Sequence, residues 1–304
     1  MPRGVPNSGF RKTVAWYNRT GTKPQPTLYM SPTGQAPVPA EQIPMTVESD
    51  DEINSRIAER FEILEDFTDA VIAGDDHSLI ISGPAGLGKS FTVEQKLREW
   101  DPEANNYVII KGYVRPTGLY KLLFDYREEN KIIVFDDADS LFFDDTCLNF
   151  LKAVCENHDR RTVSYLSEAK MVSEISGEVL PRSFEFKGRI IFISNYDFDA
   201  MITKSHKLGP HLQAMMSRSQ YLDLSMKTRR DCVIRIIQVL NTGLFEDLGM
   251  TENEQDEIIQ FIFDNMNTLR EISLRTALKI ASIRRNAREG KDWKKIATIA
   301  ACKQ

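Results

Sequence analysis

The sequence predicts an α/β protein: a parallel-sheet core with a phosphate-loop motif and a β-hairpin insertion, followed by a small all-helical domain. Three observations predict it. Short apolar runs alternate with stretches of helical period, the pattern of strands buried on both faces. A glycine-rich loop follows the first run directly and opens a helix. Beyond about residue 226 the periodicity is helical to the end.

The elements follow in order. From about Val47 to Ala73 the apolar positions Ile53, Ile57, Phe61, Leu64, Phe67 and Val71 recur every three or four residues, and Gly74 supplies a stop. Strands are expected at Ser78–Ser82, Tyr107–Lys111, Lys131–Phe135 and Arg189–Ser194, with helices at Lys89–Trp100, Gly118–Glu129 and Thr146–Asn157. Between the last of these helices and the fourth strand lies an insertion, Arg161–Lys187. Its segments Thr162–Leu166 and Ser183–Lys187 alternate as paired strands do, and Gly177 offers a turn. This reads as a hairpin projecting from the core, with cover for the sheet edge as the alternative. After a strand near Tyr221–Leu224, helices are expected at Thr228–Asn241, Glu252–Asn265, Thr268–Arg288 and Trp293–Ala301. The organisation read from this is an arm over 1–46, a nucleotide-binding core over 47–226, and a helical lid with a C-terminal helix over 227–304.

Charge is divided unevenly. The chain of 304 residues has a net charge of −5, yet its first forty residues hold five cations (Arg3, Arg11, Lys12, Arg19, Lys23) and no carboxylate, which leaves −10 for the rest. Seven of the 13 prolines also fall there, favouring extended, solvated chain. Phe10, Trp16, Tyr17 and Tyr29 lie among the cations, suited to stacking on bases or to docking on the chain's own body or a neighbouring subunit. The acidic whole excludes a histone-type neutraliser of nucleic acid. Four cysteines without CxxC spacing exclude a disulfide scaffold and a cysteine zinc site, and fit a reducing compartment. No apolar run has the length of a membrane span or the form of a secretory signal, so a soluble, cytoplasmic protein of a bacterial or phage-infected cell is expected, with no membrane partner.

The loop Gly83-Pro84-Ala85-Gly86-Leu87-Gly88-Lys89-Ser90 matches GxxxxGK[ST] between strand and helix. Glycines there turn successive amides toward phosphate oxygens, and the helix start adds partial positive charge. Lys89 reaches β and γ phosphates, Ser90 ligates Mg²⁺, and Phe91 adjoins the nucleotide. The cofactors implied are ATP and Mg²⁺. The third strand ends in Ile132-Ile133-Val134-Phe135-Asp136-Asp137, delivering a carboxylate to the edge where ligands of open α/β sheets sit. Asp136 is the second metal candidate. Asp137 is the candidate general base for an attacking water.

With both motifs placed, the chain resembles the AAA+ ATPases over roughly Ile53 to Arg288. The resemblance implies a polar sensor closing the next strand, matched by Asn195 in Ile191-Phe192-Ile193-Ser194-Asn195. It implies an arginine finger offered to the neighbouring subunit, matched by Arg218 in Met216-Ser217-Arg218-Ser219, with Arg182, Arg229 and Arg230 as rivals. It implies a lid arginine, matched by Arg275, with Arg270 as rival. A trans arginine requires a homo-oligomer, a ring or spiral, most simply a hexamer. The family usually carries Glu where Asp137 stands, so the shorter side chain sets the base back by about one carbon bond.

Lys111-Gly112-Tyr113-Val114-Arg115 lies where ring-forming members place a substrate-gripping loop. Lys111, Tyr113, Val114 and Arg115 are therefore the substrate-contact candidates, for a threaded polypeptide or a phosphate backbone. Arg284, Arg285, Arg288, Lys291, Lys294 and Lys295 form a basic run near the C-terminus, read as a solvated helix face or a contact for DNA or a subunit. The compact one-module build resembles phage and plasmid members. The function expected is an ATPase coupled to DNA transactions, a motor or loader in replication, recombination or repair, with DNA and a protein of such a complex as partners. The alternatives are a protein unfoldase and an ATP-gated scaffold of slow turnover.

Overall fold

The computed structural model describes residues 48–158, 160–166, 170–173, 175, 177–204, 208–241, 249–287 and 292–303. The arm, and Arg288 and Lys291 of the basic run, lie outside the described residues. Residues Glu48–Gln304 belong to one compact unit.

Helix α1 spans Asp50–Ala73. Its start is fixed by a capping box, in which Ser49 accepts from the Glu52 amide while Glu52 accepts from the Ser49 amide; it ends at Gly74 in the left-handed conformation. Strand β1, Ser78–Ser82, leads through the phosphate loop into α2, Lys89–Trp100. Then follow β2 (Tyr107–Lys111), α3 (Pro116–Asp125), β3 (Ile132–Asp136), a 3₁₀ turn at Asp139–Phe143 and α4 (Asp145–Val154). α3 starts two residues before the expected Gly118 because Pro116, with fixed φ and no amide to satisfy, suits a first helical turn. Strands β4 (Thr162–Ser164) and β5 (Ser183–Glu185) precede β6 (Arg189–Ser194), α5 (Phe198–Thr203), α6 (Gly209–Met216) and β7 (Gln220–Asp223). The two short helices α5 and α6 were not expected from the periodicity, being too brief to display it.

The central sheet has five parallel strands in the order β2-β3-β6-β1-β7. Alternation along each strand divides the core. Leu79 and Ile81 of β1 with Ile191 and Ile193 of β6 pack beneath α1 and α2, whereas Ile80, Ile190 and Phe192 face α3, α4 and the hairpin. Each buried Leu, Ile or Phe side chain contributes roughly 1.5–3 kcal/mol.

The hairpin pairs β4 with β5 antiparallel, Val163 opposite Phe184. Its root does not project. Val163, Phe184 and Phe186 are buried, and Phe184 sits 5.1 Å from the Tyr120 ring and 5.3 Å from that of Phe124. The large apolar side chains exposed on it, Leu166, Val172 and Val179, lie in the outer part, and Gly177 turns there with φ +72°.

The C-terminal helices are α7 (Arg229–Val239), α8 (Glu252–Asp264), α9 (Leu274–Arg285) and α10 (Trp293–Ala301), packed on their own apolar cluster around Ile258, Phe261, Ile280 and Trp293. The helix expected from Thr268 begins only at Leu274, because the Ser273 hydroxyl accepts from the Thr276 amide as an N-cap and leaves 268–273 as an irregular approach. Among the described residues no helix is long and apolar enough to cross a membrane.

Candidate functional site

Strand order builds the site. β6 lies between β1 and β3, so the residue that closes β6 stands between the phosphate loop and the acidic pair. Asn195 accordingly bridges both. Its amide nitrogen donates to Asp137 Oδ1 at 2.6 Å, and its amide oxygen accepts from Lys89 Nζ at 3.0 Å. Three residues far apart in sequence thus form one hydrogen-bonded chain.

The loop's glycines have the backbone their role needs. Gly83, Gly86 and Gly88 have φ of +148°, +73° and +102°. Such angles are costly for a residue with a Cβ. Lys89 is 5% exposed, and its ammonium donates to the carbonyls of Gly83 at 2.7 Å and Pro84 at 2.9 Å. Burial pulls this amine down to about 8 despite nearby Asp137 and Asp136. A buried cation held by carbonyl and amide oxygens lacks a directly bound anion, and phosphate would supply one.

Asp136, at the end of β3, is buried and doubly engaged. Oδ1 accepts from Ser90 Oγ at 2.8 Å, and Oδ2 pairs with Lys111 Nζ at 2.9 Å. The two metal candidates, Ser90 and Asp136, therefore already touch, and an ammonium stands against the carboxylate. Asp137 is exposed, with φ +53°, a left-handed backbone that Asp tolerates better than most residues. Behind it Asp139 accepts from Ser194 Oγ at 2.7 Å, and burial raises its carboxyl above the usual range.

The C-terminal helical segment packs on the loop. The Leu274 amide donates to the Gly86 carbonyl at 2.8 Å, and a Cβ on Gly86 would stand 2.6 Å from Ser273 Cβ. Arg275, at the start of α9, lines the same cleft with Ala85, Gly88, Phe91 and Asn195. From α7, Arg235 donates to the Leu87 carbonyl at 3.2 Å and lies 3.3 Å above the Phe61 ring; burial pulls its guanidinium down to about 10. Neither Asp139 nor Arg235 was singled out in the sequence. The string Asp136-Asp137-Ala138-Asp139 carried a signal for the first; a lone arginine on an amphipathic helix carried none for the second.

Arg218 stands elsewhere. It precedes β7, whose Gln220 is level with Leu79 at the amino end of β1, so it lies at the edge of the sheet opposite the phosphate loop. There Nε donates to Glu156 at 3.0 Å and Nη1 to the Ala214 carbonyl at 2.7 Å. Arg229, Arg230 and Arg270 are committed internally, to the Met266 and Leu269 carbonyls, to Asp50, and to the Cys302 carbonyl. On the loop after β2, Tyr113 is 77% exposed, the Val114 amide donates to Ser140 Oγ at 3.2 Å, Arg115 is exposed, and Lys111 is turned to Asp136. In the basic run, Arg284 pairs with Glu254 and Glu257, whereas Lys294 and Lys295 are exposed.

Sheet, loop and C-terminal helices together define a P-loop α/β protein. The chain is 37% identical over 253 residues to an uncharacterized 36.7 kDa protein from the nrdC-mobD intergenic region of Enterobacteria phage T4, a match covering 83% of this chain and 76% of that one. The chain belongs to the family of that phage protein. No protein-family model matches it. Among solved structures, a Thermotoga maritima RuvB mutant aligns with TM-score 0.47 at 14% identity, over 84% of this chain and 73% of that one. Brucella abortus NtrX in complex with ATP aligns with TM-score 0.45 at 13% identity, over 76% and 50%.

Proposed function

We propose that this protein is a magnesium-dependent ATPase of the AAA+ type, acting as a ring or spiral, most simply a hexamer, with DNA as its substrate. The observation that carries the ATPase reading is the chain Lys89–Asn195–Asp137 beneath a glycine loop, with Ser90 and Asp136 in contact beside it. Gly83–Ser90 would hold the phosphates, and Ser90 with Asp136 the metal. When bound, the nucleotide brings the phosphoanhydride to be broken, and its magnesium neutralises phosphate charge. Asp137 would take a proton from water held in place by Asn195, whose amide fixes the carboxylate's orientation. Arg275, carried by the lid over the cleft, would report nucleotide state to the helical domain.

Arg218 supports an assembled form. At the far edge of the sheet it cannot reach its own phosphate loop, so a role at phosphate requires a second copy. Arg218→Ala should lose turnover yet be rescued in mixed assemblies by subunits carrying an inactive Asp137, and no rescue would sink the trans role. Lys89→Ala should abolish nucleotide binding.

The DNA reading rests on the basic aromatic arm, and the phage family fits it. A second reading, polypeptide threading, is favoured by the exposure of Tyr113. ATPase rate measured with single-stranded DNA, duplex DNA or an unfolded protein across salt concentrations separates them. DNA stimulation that fades steeply with salt is expected. Stimulation by unfolded protein alone would replace DNA with polypeptide, and no stimulation would leave a slow scaffold.

A further inference from the structure

We infer that the amino edge of the sheet carries a second anion site, separate from the phosphate loop, which takes a phosphate group. The pocket lies between the end of α1, the root of the hairpin and the start of β6, and is lined by Arg161, Arg189, Lys187, His77, His158 and Glu129. Its floor consists of two guanidiniums, 5% and 6% exposed. Among the described residues neither has a carboxylate in contact. Arg161 donates to the Val154 carbonyl at 2.9 Å, and Arg189 to those of Val71 and Ile72 at 3.2 and 2.8 Å.

Those bonds hold both side chains at helix ends, where carbonyl dipoles stabilise a cation only in part. Gly74 makes room: a Cβ there would stand 2.6 Å from Arg189 Nη2. The rim adds exposed Lys187, with His77 and His158. Burial depresses both arginines, Arg161 further by repulsion from Arg189, and His77 is depressed by burial and by both of them. Among the described residues Glu129 is the one carboxylate in the lining, with Asp75 near Arg189. Three permanent cations outnumber these two carboxylates and fit a phosphate, which guanidinium binds in two-pronged fashion.

Two sources offer this chemistry: free phosphate and a nucleic-acid backbone. The test uses the full chain carrying Lys89→Ala, which silences the phosphate loop. Inorganic phosphate is followed by its effect on the unfolding midpoint, and a fluorescent single-stranded oligonucleotide by anisotropy at low salt. Arg161→Met and Lys187→Glu should each weaken binding of at least one probe by about tenfold or more, while Lys204→Glu, an equal charge reversal outside the pocket, should not. Loss for phosphate alone assigns a free anion, and loss for the oligonucleotide assigns a backbone phosphate. Lys187 is exposed, so its variant folds even if the buried Arg161 does not tolerate change. If Lys187→Glu alters neither probe, or no more than Lys204→Glu does, the site does not exist. The ATPase reading is untouched by that result, since Lys187 lies at the opposite end of the sheet.

Discussion

Replacing Gly86 by Ala tests the contact between the start of α9 and the glycine loop. Gly86 has φ +73°, and its carbonyl accepts from the Leu274 amide at 2.8 Å. A left-handed backbone costs an alanine about 1–2 kcal/mol. The new Cβ would also stand 2.6 Å from Ser273 Cβ, where carbon atoms rest at roughly 3.5–4.0 Å. Opening that contact by about 1 Å breaks the Leu274 bond, worth ~1 kcal/mol net. The expected loss is therefore about 2–3 kcal/mol, a fall in unfolding midpoint of roughly 4 °C or more. Ser273→Gly removes the opposing Cβ at a capping cost of only a few tenths of a kcal/mol. In a thermal-unfolding cycle without nucleotide, Ser273→Gly should restore about 1 kcal/mol to Gly86→Ala but leave the backbone strain. Full stability in Gly86→Ala alone, or losses that simply add, would refute the contact.

Three further outcomes follow from the same geometry. Lys89 sits at about 8 in the fold against an ordinary 10.5, so between those values the unfolded chain holds more proton and stability rises with pH; relative to Lys89→Met, the wild type should gain up to ~3 kcal/mol across that window, and a flat difference would contradict the burial. Gly188→Ala places a Cβ 2.4 Å from the Tyr126 carbonyl oxygen and 2.9 Å from Phe186, and urea unfolding should register a loss of about 1–3 kcal/mol. Arg235→Met forfeits the stack on Phe61 and the bond to Leu87; a loss of roughly 1–2 kcal/mol is expected, and Arg235→Lys should not restore it, since an ammonium lacks the planar face.

Local rules account for much of what the sequence disclosed. The runs Ser78–Ser82 and Arg189–Ser194 were legible to the residue because buried parallel strands are apolar on both faces. Helix starts were less legible. Pro116 and Ser273 moved them by two and six residues, since a cap is a hydrogen bond and apolar periodicity does not report it. The hairpin shows the same limit at larger scale. Alternation gave the pairing of Thr162–Ser164 with Ser183–Glu185, but not that Val163 and Phe184 would be buried in the core, with Phe184 against Tyr120 and Phe124.

The sequence by itself determined the phosphate loop, the acidic pair and the elements that carry them, because each depends on neighbours within a few residues. Which of them meet was decided by tertiary structure. Threading β6 between β1 and β3 makes Asn195 the bridge from Lys89 to Asp137, and parallel register sends Arg218 to the opposite edge. The same packing presses Arg235 and Ser273 onto the loop and gathers Arg161, Arg189 and Lys187 around one pocket. Those contacts join residues as many as 187 positions apart, 86 to 273, and no local pattern encodes them. They exist because burying both faces of one sheet leaves the chain few ways to fold back on itself.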